Sequence, residues 1–233
     1  MKREETTTGT PQEISWDVFA NFVRQLSHDL RNQLNAAELQ AALIGELTND
    51  EELKSEARRL REIISQLGIT LQALSTSVAE PRPAFLPYIL RDFVADVQKR
   101  IGHEFPEEAS AVNWEITSVG ATLDIDPQLM EWTVVELFRN AFRHDRTGGE
   151  IQAKASVADQ WFTLSIREPK AGEIDPAQWT RPLLKISHGH YSLGLRRARS
   201  IIAAHGGELQ TQFDPVSRML VTTIKLPCST EKS

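Results

Sequence analysis

In the stretch SHDLRNQLNAAEL, Ser27 to Leu39, a histidine is followed at once by an acid and, four residues on, by an asparagine. An imidazole that attacks a phosphoryl group must be neutral and must shed its ring proton. A carboxylate beside it can orient the ring and take up that proton. Asp29 stands in that position relative to His28. On a helix, Asn32 falls about 40° from His28, one turn along the same face. Its amide can hold a phosphoryl oxygen or position a water. By default a surface histidine is only a solvated side chain, so the reactive reading needs support from what surrounds it.

The element that carries this trio is legible. From Ile14 onward, Phe19, Val23, Leu26, Leu30, Leu34, Ala37, Ala41 and Ile44 recur by threes and fours. At about 100° per residue they make one apolar stripe. His28 lies nearly opposite its centre, facing outward. The polar stretch GELTNDEE interrupts the pattern, with Asn49 or Asp50 as the cap of the next helix. A second series then runs Leu53, Ala57, Leu60, Ile64, Leu67, Leu71, Leu74, Val78, alternating four and three. That is a packing seam. Two helices with a short connection predict an antiparallel hairpin. A lone hairpin leaves one side of each stripe uncovered, so a second copy completing a dimeric four-helix bundle is expected.

Pro81 and Pro83 stop the second helix and mark a linker over 79–85. Beyond it the texture mixes the two periods. A helix is expected from Ile89 to about Ile101, strands in AVNWEITSV and GATLDID, and a helix in PQLMEWTVVELFRNAFRHD opened by Pro127. A strand hairpin follows in GEIQAKASVADQWFTLSIRE, then a glycine-closed helix in LGLRRARSIIAAHGG, then a last strand pair. The fold class expected is α+β: a disordered lead over 1–13, a helical hairpin over 14–78, the linker, and an α/β sandwich over 86–228.

The whole chain of 233 residues has a formal net charge of −6, which argues against a nucleic-acid partner. It has one cysteine, Cys228, so neither an intrachain disulfide nor a cysteine-based zinc site is open to it. No apolar run suits membrane insertion and the first residues show no signal-peptide core. A cytoplasmic location, with no sensor segment ahead of the first helix, is the expectation.

SHDLRNQLNAAEL resembles the phospho-acceptor motif of two-component histidine kinases, with His28, Asp29 and Asn32 matching residue by residue. That family commonly has proline near Gln33, and its absence predicts a straighter first helix. VVELFRNAFRHD resembles the asparagine motif of the histidine-kinase ATPase domain. The resemblance implies that Asn140 coordinates the magnesium bridging the triphosphate of ATP and that Arg143 lies near the phosphates. Glu136 stands where most histidine kinases have an earlier asparagine and related ATPases have Glu. Glu136 and Asn140 share a helix face, and both offer the hard oxygens that magnesium prefers. HGHYSLGLRRARSIIAAHGGEL resembles the family's glycine-rich lid and following helix, with Gly189, Leu193, Gly194, Leu195, His205, Gly206 and Gly207 matching. His205, at the helix end, reads as structural.

The family's Asp-x-Gly-x-Gly is altered. In IREPKAGEI, Glu168 replaces the adenine-contacting Asp, Lys170 replaces the first glycine, and Gly172 keeps the second; Ser192 replaces a lid glycine. A β-carbon at 170 or 192 opposes a positive φ and crowds a nucleotide. The resemblance therefore implies a sensorless histidine kinase that phosphorylates His28 from ATP and passes the phosphoryl group to a receiver-domain aspartate of a response regulator. The alternative is an ATP-independent histidine phosphotransferase, a relay adaptor with a vestigial nucleotide site. A pure binding protein would need neither the hairpin nor His28.

Overall fold

In the computed structural model, residues 15–117, 120–143, 148–173, 175 and 193–230 are described. The chain divides into two compact units, Met1–Ala79 and Glu80–Ser233.

The first unit is a helical hairpin. Helix α1 runs Trp16–Leu47 and α2 runs Glu51–Val78. Each begins at an oxygen that satisfies orphan backbone donors. Ser15 Oγ accepts from Val18 N at 3.4 Å, and Asp50 Oδ1 accepts from Glu52 N at 2.8 Å and Leu53 N at 3.4 Å. No proline interrupts α1, and it runs unbroken for 32 residues.

The two apolar stripes are divided in use. Ala57, Ile64 and Val78 are buried and Leu71 is half-buried, a seven-residue repeat that packs toward α1. The alternate repeat stays open: Leu53, Leu60 and Leu67 are 51, 45 and 51% exposed. On α1, Val23 and Ala41 are buried, whereas Leu26, Leu30 and Ile44 of the same stripe are exposed. Half of each seam therefore lacks cover within one chain.

The second unit is a helix-on-sheet sandwich. Its strands are β1 (Leu86–Ile89), β2 (Val112–Ile116), β3 (Ala121–Ile125), β4 (Ile151–Ala158), β5 (Trp161–Pro169), β6 (Glu208–Asp214) and β7 (Met219–Thr230). Its helices are α3 (Leu90–Glu104), α4 (Pro127–Arg143) and α5 (Gly194–Ala204). The strand order is β1-β3-β7-β5-β4-β2, with β6 also paired to β7. All of these pairings are antiparallel except β2 with β4. Strand β1 and a short 3-10 turn at Glu108–Ala111 carry no sequence signal strong enough to have been expected.

Alternation explains the core. Along β5, Phe162, Leu164 and Ile166 face inward and are buried. They meet Met130, Val134, Phe138 and Ala141 from α4 and Ala198, Ile201 and Ile202 from α5. Among the described residues, no helix is long and apolar enough to cross a membrane.

Candidate functional site

His28 sits in the second quarter of α1. Its side chain is 68% exposed, so the outward direction inferred from the stripe is the one observed. The ring Nδ1 lies 3.2 Å from Asp29 Oδ1, and the same oxygen accepts from Gln25 Nε2 at 2.9 Å. Gln25 was not foreseen, although its place one turn before Asp29 is the signal that finds it. The hydrogen bonds from His28 and then Gln25 hold the Asp29 carboxyl below the usual carboxylate range. Asp29 thus stays charged and is suited to stabilise an imidazolium. Asn32 is exposed one turn further on.

In the second unit, Glu136 and Asn140 share a face of α4. Asn140 Nδ2 donates to Glu136 O at 2.7 Å and reaches Glu136 Oε1 at 3.3 Å. Arg139 contacts Glu136 and also donates to Glu104 Oε2 at 2.9 Å, and Arg100 donates to Glu104 Oε1 at 2.7 Å. Burial alone would raise the Glu104 carboxyl, but the two guanidinium groups outweigh it and hold it below its ordinary range. This ladder from α3 to α4 fixes Glu136 and was not expected from sequence.

Glu136 also abuts the start of α5. A β-carbon on Gly194 would overlap the Glu136 carboxylate, so a larger residue there would push that side chain aside. The carboxylate thereby meets the positive end of the α5 dipole. Arg143 is exposed at the end of α4. Among the described residues, no group of three or more His, Cys, Asp or Glu could hold a metal. Gly189 and Ser192 lie outside the described residues.

The altered glycine motif takes an unexpected form. Glu168 and Lys170 continue the inward face of β5 after Ile166, because residues two apart on a strand point the same way. Lys170 Nζ lies 2.6 Å from Glu168 Oε2, with side chains 0% and 4% exposed. The ladder continues through this point, since Lys170 N donates to Arg218 O at 2.9 Å. The sequence motif singled out each residue but not their pairing. Gly172 is exposed, and a β-carbon there would meet nothing within 4 Å.

His205 is built into the scaffold. Asp126 N donates to its Nε2 at 3.0 Å, so the ring proton is on Nδ1, which donates to Ile201 O at 2.7 Å. Both nitrogens are thereby used, and its structural role is the one expected.

The sequence matches no protein-family model and no curated protein. The fold does have close counterparts. Full-length ShkA in complex with AMPPNP aligns with a TM-score of 0.66 at 19% identity, over 92% of this chain and 47% of its own. The histidine kinase AdeS of Acinetobacter baumannii aligns with a TM-score of 0.53 at 22% identity, over 86% of this chain and 97% of its own. Histidine kinase ThkA, solved in complex with the response regulator protein TrrA, gives 0.57 at 17% identity, over 93% of this chain and 64% of its own. The fold is that of a histidine kinase. This chain spans about half the length of ShkA. In histidine-kinase terms, the first unit is the helical hairpin and the second the ATPase-like sheet domain. His28 therefore lies on the hairpin, and Glu136, Asn140, Glu168 and Lys170 lie in the ATPase-like unit.

Proposed function

We propose that this chain carries phosphoryl groups in two-component signalling, with His28 Nε2 as the atom that bears them. The observation that carries this reading is an exposed imidazole whose Nδ1 is engaged by an ionised carboxylate. That arrangement directs Nε2 and its lone pair outward. In the transfer, Nε2 forms a bond to phosphorus, and the bond from phosphorus to the donor oxygen breaks. The electron pair leaves with the donor. Asp29 stabilises the imidazolium that results, and Asn32 holds a phosphoryl oxygen or the attacking water of later hydrolysis.

The partner is the aspartate of a response-regulator receiver domain, which must reach the nitrogen directly. ThkA, of the same fold, forms a complex with a response regulator. The uncovered seams support a homodimer through the hairpin. The reading includes a cytoplasmic location.

Two donors suit this chemistry. ATP would make the chain a protein-histidine kinase, and ShkA, of the same fold, is complexed with AMPPNP. The residues of the ATPase-like unit fit ATP at one end only. Glu136 and Asn140 would hold magnesium, which neutralises phosphate charge when bound, with Arg143 beside the phosphates. At the adenine end the Glu168 carboxylate is already paired with Lys170, which does not fit. A phosphorylated receiver is the second donor, and that buried pair favours it.

Phosphoramidate, a small donor that needs no protein partner, tests the carrier reading. Treated protein should gain one acid-labile phosphoryl group, located at His28 by peptide mass spectrometry and absent in His28→Gln. A wild-type protein that gains none, or gains it equally with His28→Gln, defeats the reading.

A further inference from the structure

We propose that the Glu168–Lys170 ion pair locks the adenine end of the nucleotide site, so that His28 is charged by the aspartyl phosphate of a receiver domain and not by ATP. This inference rests on His28 being the phosphoryl carrier.

The lock follows from strand geometry. Phe162, Leu164, Ile166, Glu168 and Lys170 form one continuous inward face, all buried. Lys170 is tied into the sheet by its bond to Arg218 O at 2.9 Å. It therefore cannot do what a glycine does in a nucleotide loop, which is to clear space and let the backbone approach. Its four-carbon stem is buried where a glycine would leave room, and its ammonium takes the Glu168 carboxylate, which stands in place of the adenine-contacting acid. Swinging Lys170 out to bind phosphate would break this buried ion pair. Breaking a buried ion pair is strongly unfavourable. The resulting loss in nucleotide affinity is on the order of a hundred- to a thousandfold.

An acyl phosphate needs no such site. His28 Nε2 attacks the phosphorus of the receiver's aspartyl phosphate. The N–P bond forms, the P–O bond to the aspartyl oxygen breaks, and the electron pair leaves on the regenerated carboxylate. The charge gained by the imidazole is balanced by Asp29. No oxidant, nucleotide or metal on this chain enters the balance.

The test uses the full chain in two arms. In one, it is incubated with magnesium and radiolabelled ATP, and binding of a fluorescent ATP analogue is titrated to millimolar concentration. In the other, it meets receiver domains from its own genome charged with labelled acetyl phosphate. The expected result is no label and no saturable binding in the first arm. In the second, label appears on His28 from at least one receiver and is absent in His28→Gln. Replacing the pair together, Glu168→Asp with Lys170→Gly, should bring saturable binding of the analogue into the titrated range, where the wild type shows none. Label from ATP that depends on His28 overturns the proposal, and so does a folded double variant that binds no better than wild type. Failure of every receiver to label His28 overturns the donor assignment. The wild-type arms stand even where the double variant does not fold. Phosphoramidate labelling of His28, run alongside, shows whether the carrier reading itself has failed.

Discussion

At the scale of residues, the contrast between glycines shows which motif positions are held by packing. Gly206 closes α5 with φ +70°, and a β-carbon on Gly207 would lie 2.4 Å from the Lys225 carbonyl oxygen. Gly207→Ala should cost about 1–3 kcal/mol in urea unfolding, because backbone must move. Gly172→Ala should be silent, within about 0.5 kcal/mol, because it meets open space. Asp126 gives a pH signature. Burial would raise its carboxyl, but the N–H groups of Ala84, Leu129 and Gln128 outweigh that and hold it below its ordinary value. A depressed folded value adds stability above the unfolded carboxylate range near pH 4 and loses it as pH falls through the lower folded value. Asp126→Asn should therefore flatten the acid limb of the stability curve while lowering stability at neutral pH. The outward histidine was legible because the stripe fixes the face opposite to it. The Glu168–Lys170 pair was not, because the glycine motif drew attention to backbone space, and the strand expected in GEIQAKASVADQWFTLSIRE ends at Glu168, short of the Lys170 that the same alternation aims inward.

At the scale of elements, the two stripes were legible from spacing alone, but spacing does not say which half of a seam a single chain covers. Ala57, Ile64 and Val78 turned out to be used within the hairpin, and Leu53, Leu60 and Leu67 to be left over. A repeat of seven residues with exposed leucines is the pattern of a second interface. Leu60→Lys together with Leu67→Glu should shift the protein to monomer in sedimentation equilibrium. The change should leave the sheet signal in circular dichroism intact, since neither residue belongs to the second core. A variant that sediments like wild type would show that these leucines are not the dimer contact. Strand β1 escaped sequence reading for the opposite reason. LPYI is only four residues long, begins at a proline-rich stretch and is mostly exposed, so alternation has no length over which to show.

At the scale of the molecule, the fold aligns with that of ShkA although identity is 19% and no family model matches. Packing faces constrain the class of a side chain more than its identity, so the architecture persists where sequence matching fails. The two units differ in how they can be stable. The ATPase-like unit has one contiguous core drawn from α3, α4, α5 and the sheet. The hairpin has only Ala20, Val23, Ser27 and Ala41 buried on α1, and Ala57, Ile64 and Val78 on α2. That is little apolar area to offset the conformational entropy of 60 helical residues (32 in α1 plus 28 in α2). If a second copy supplies the missing cover, hairpin stability is set by mass action and the sandwich's is not. Scanning calorimetry should then resolve two transitions. Raising protein concentration about tenfold should move the hairpin transition upward by several degrees and leave the sandwich transition in place. Two concentration-independent transitions would mean that each hairpin is stable alone, and that the uncovered leucines serve some contact other than a second copy.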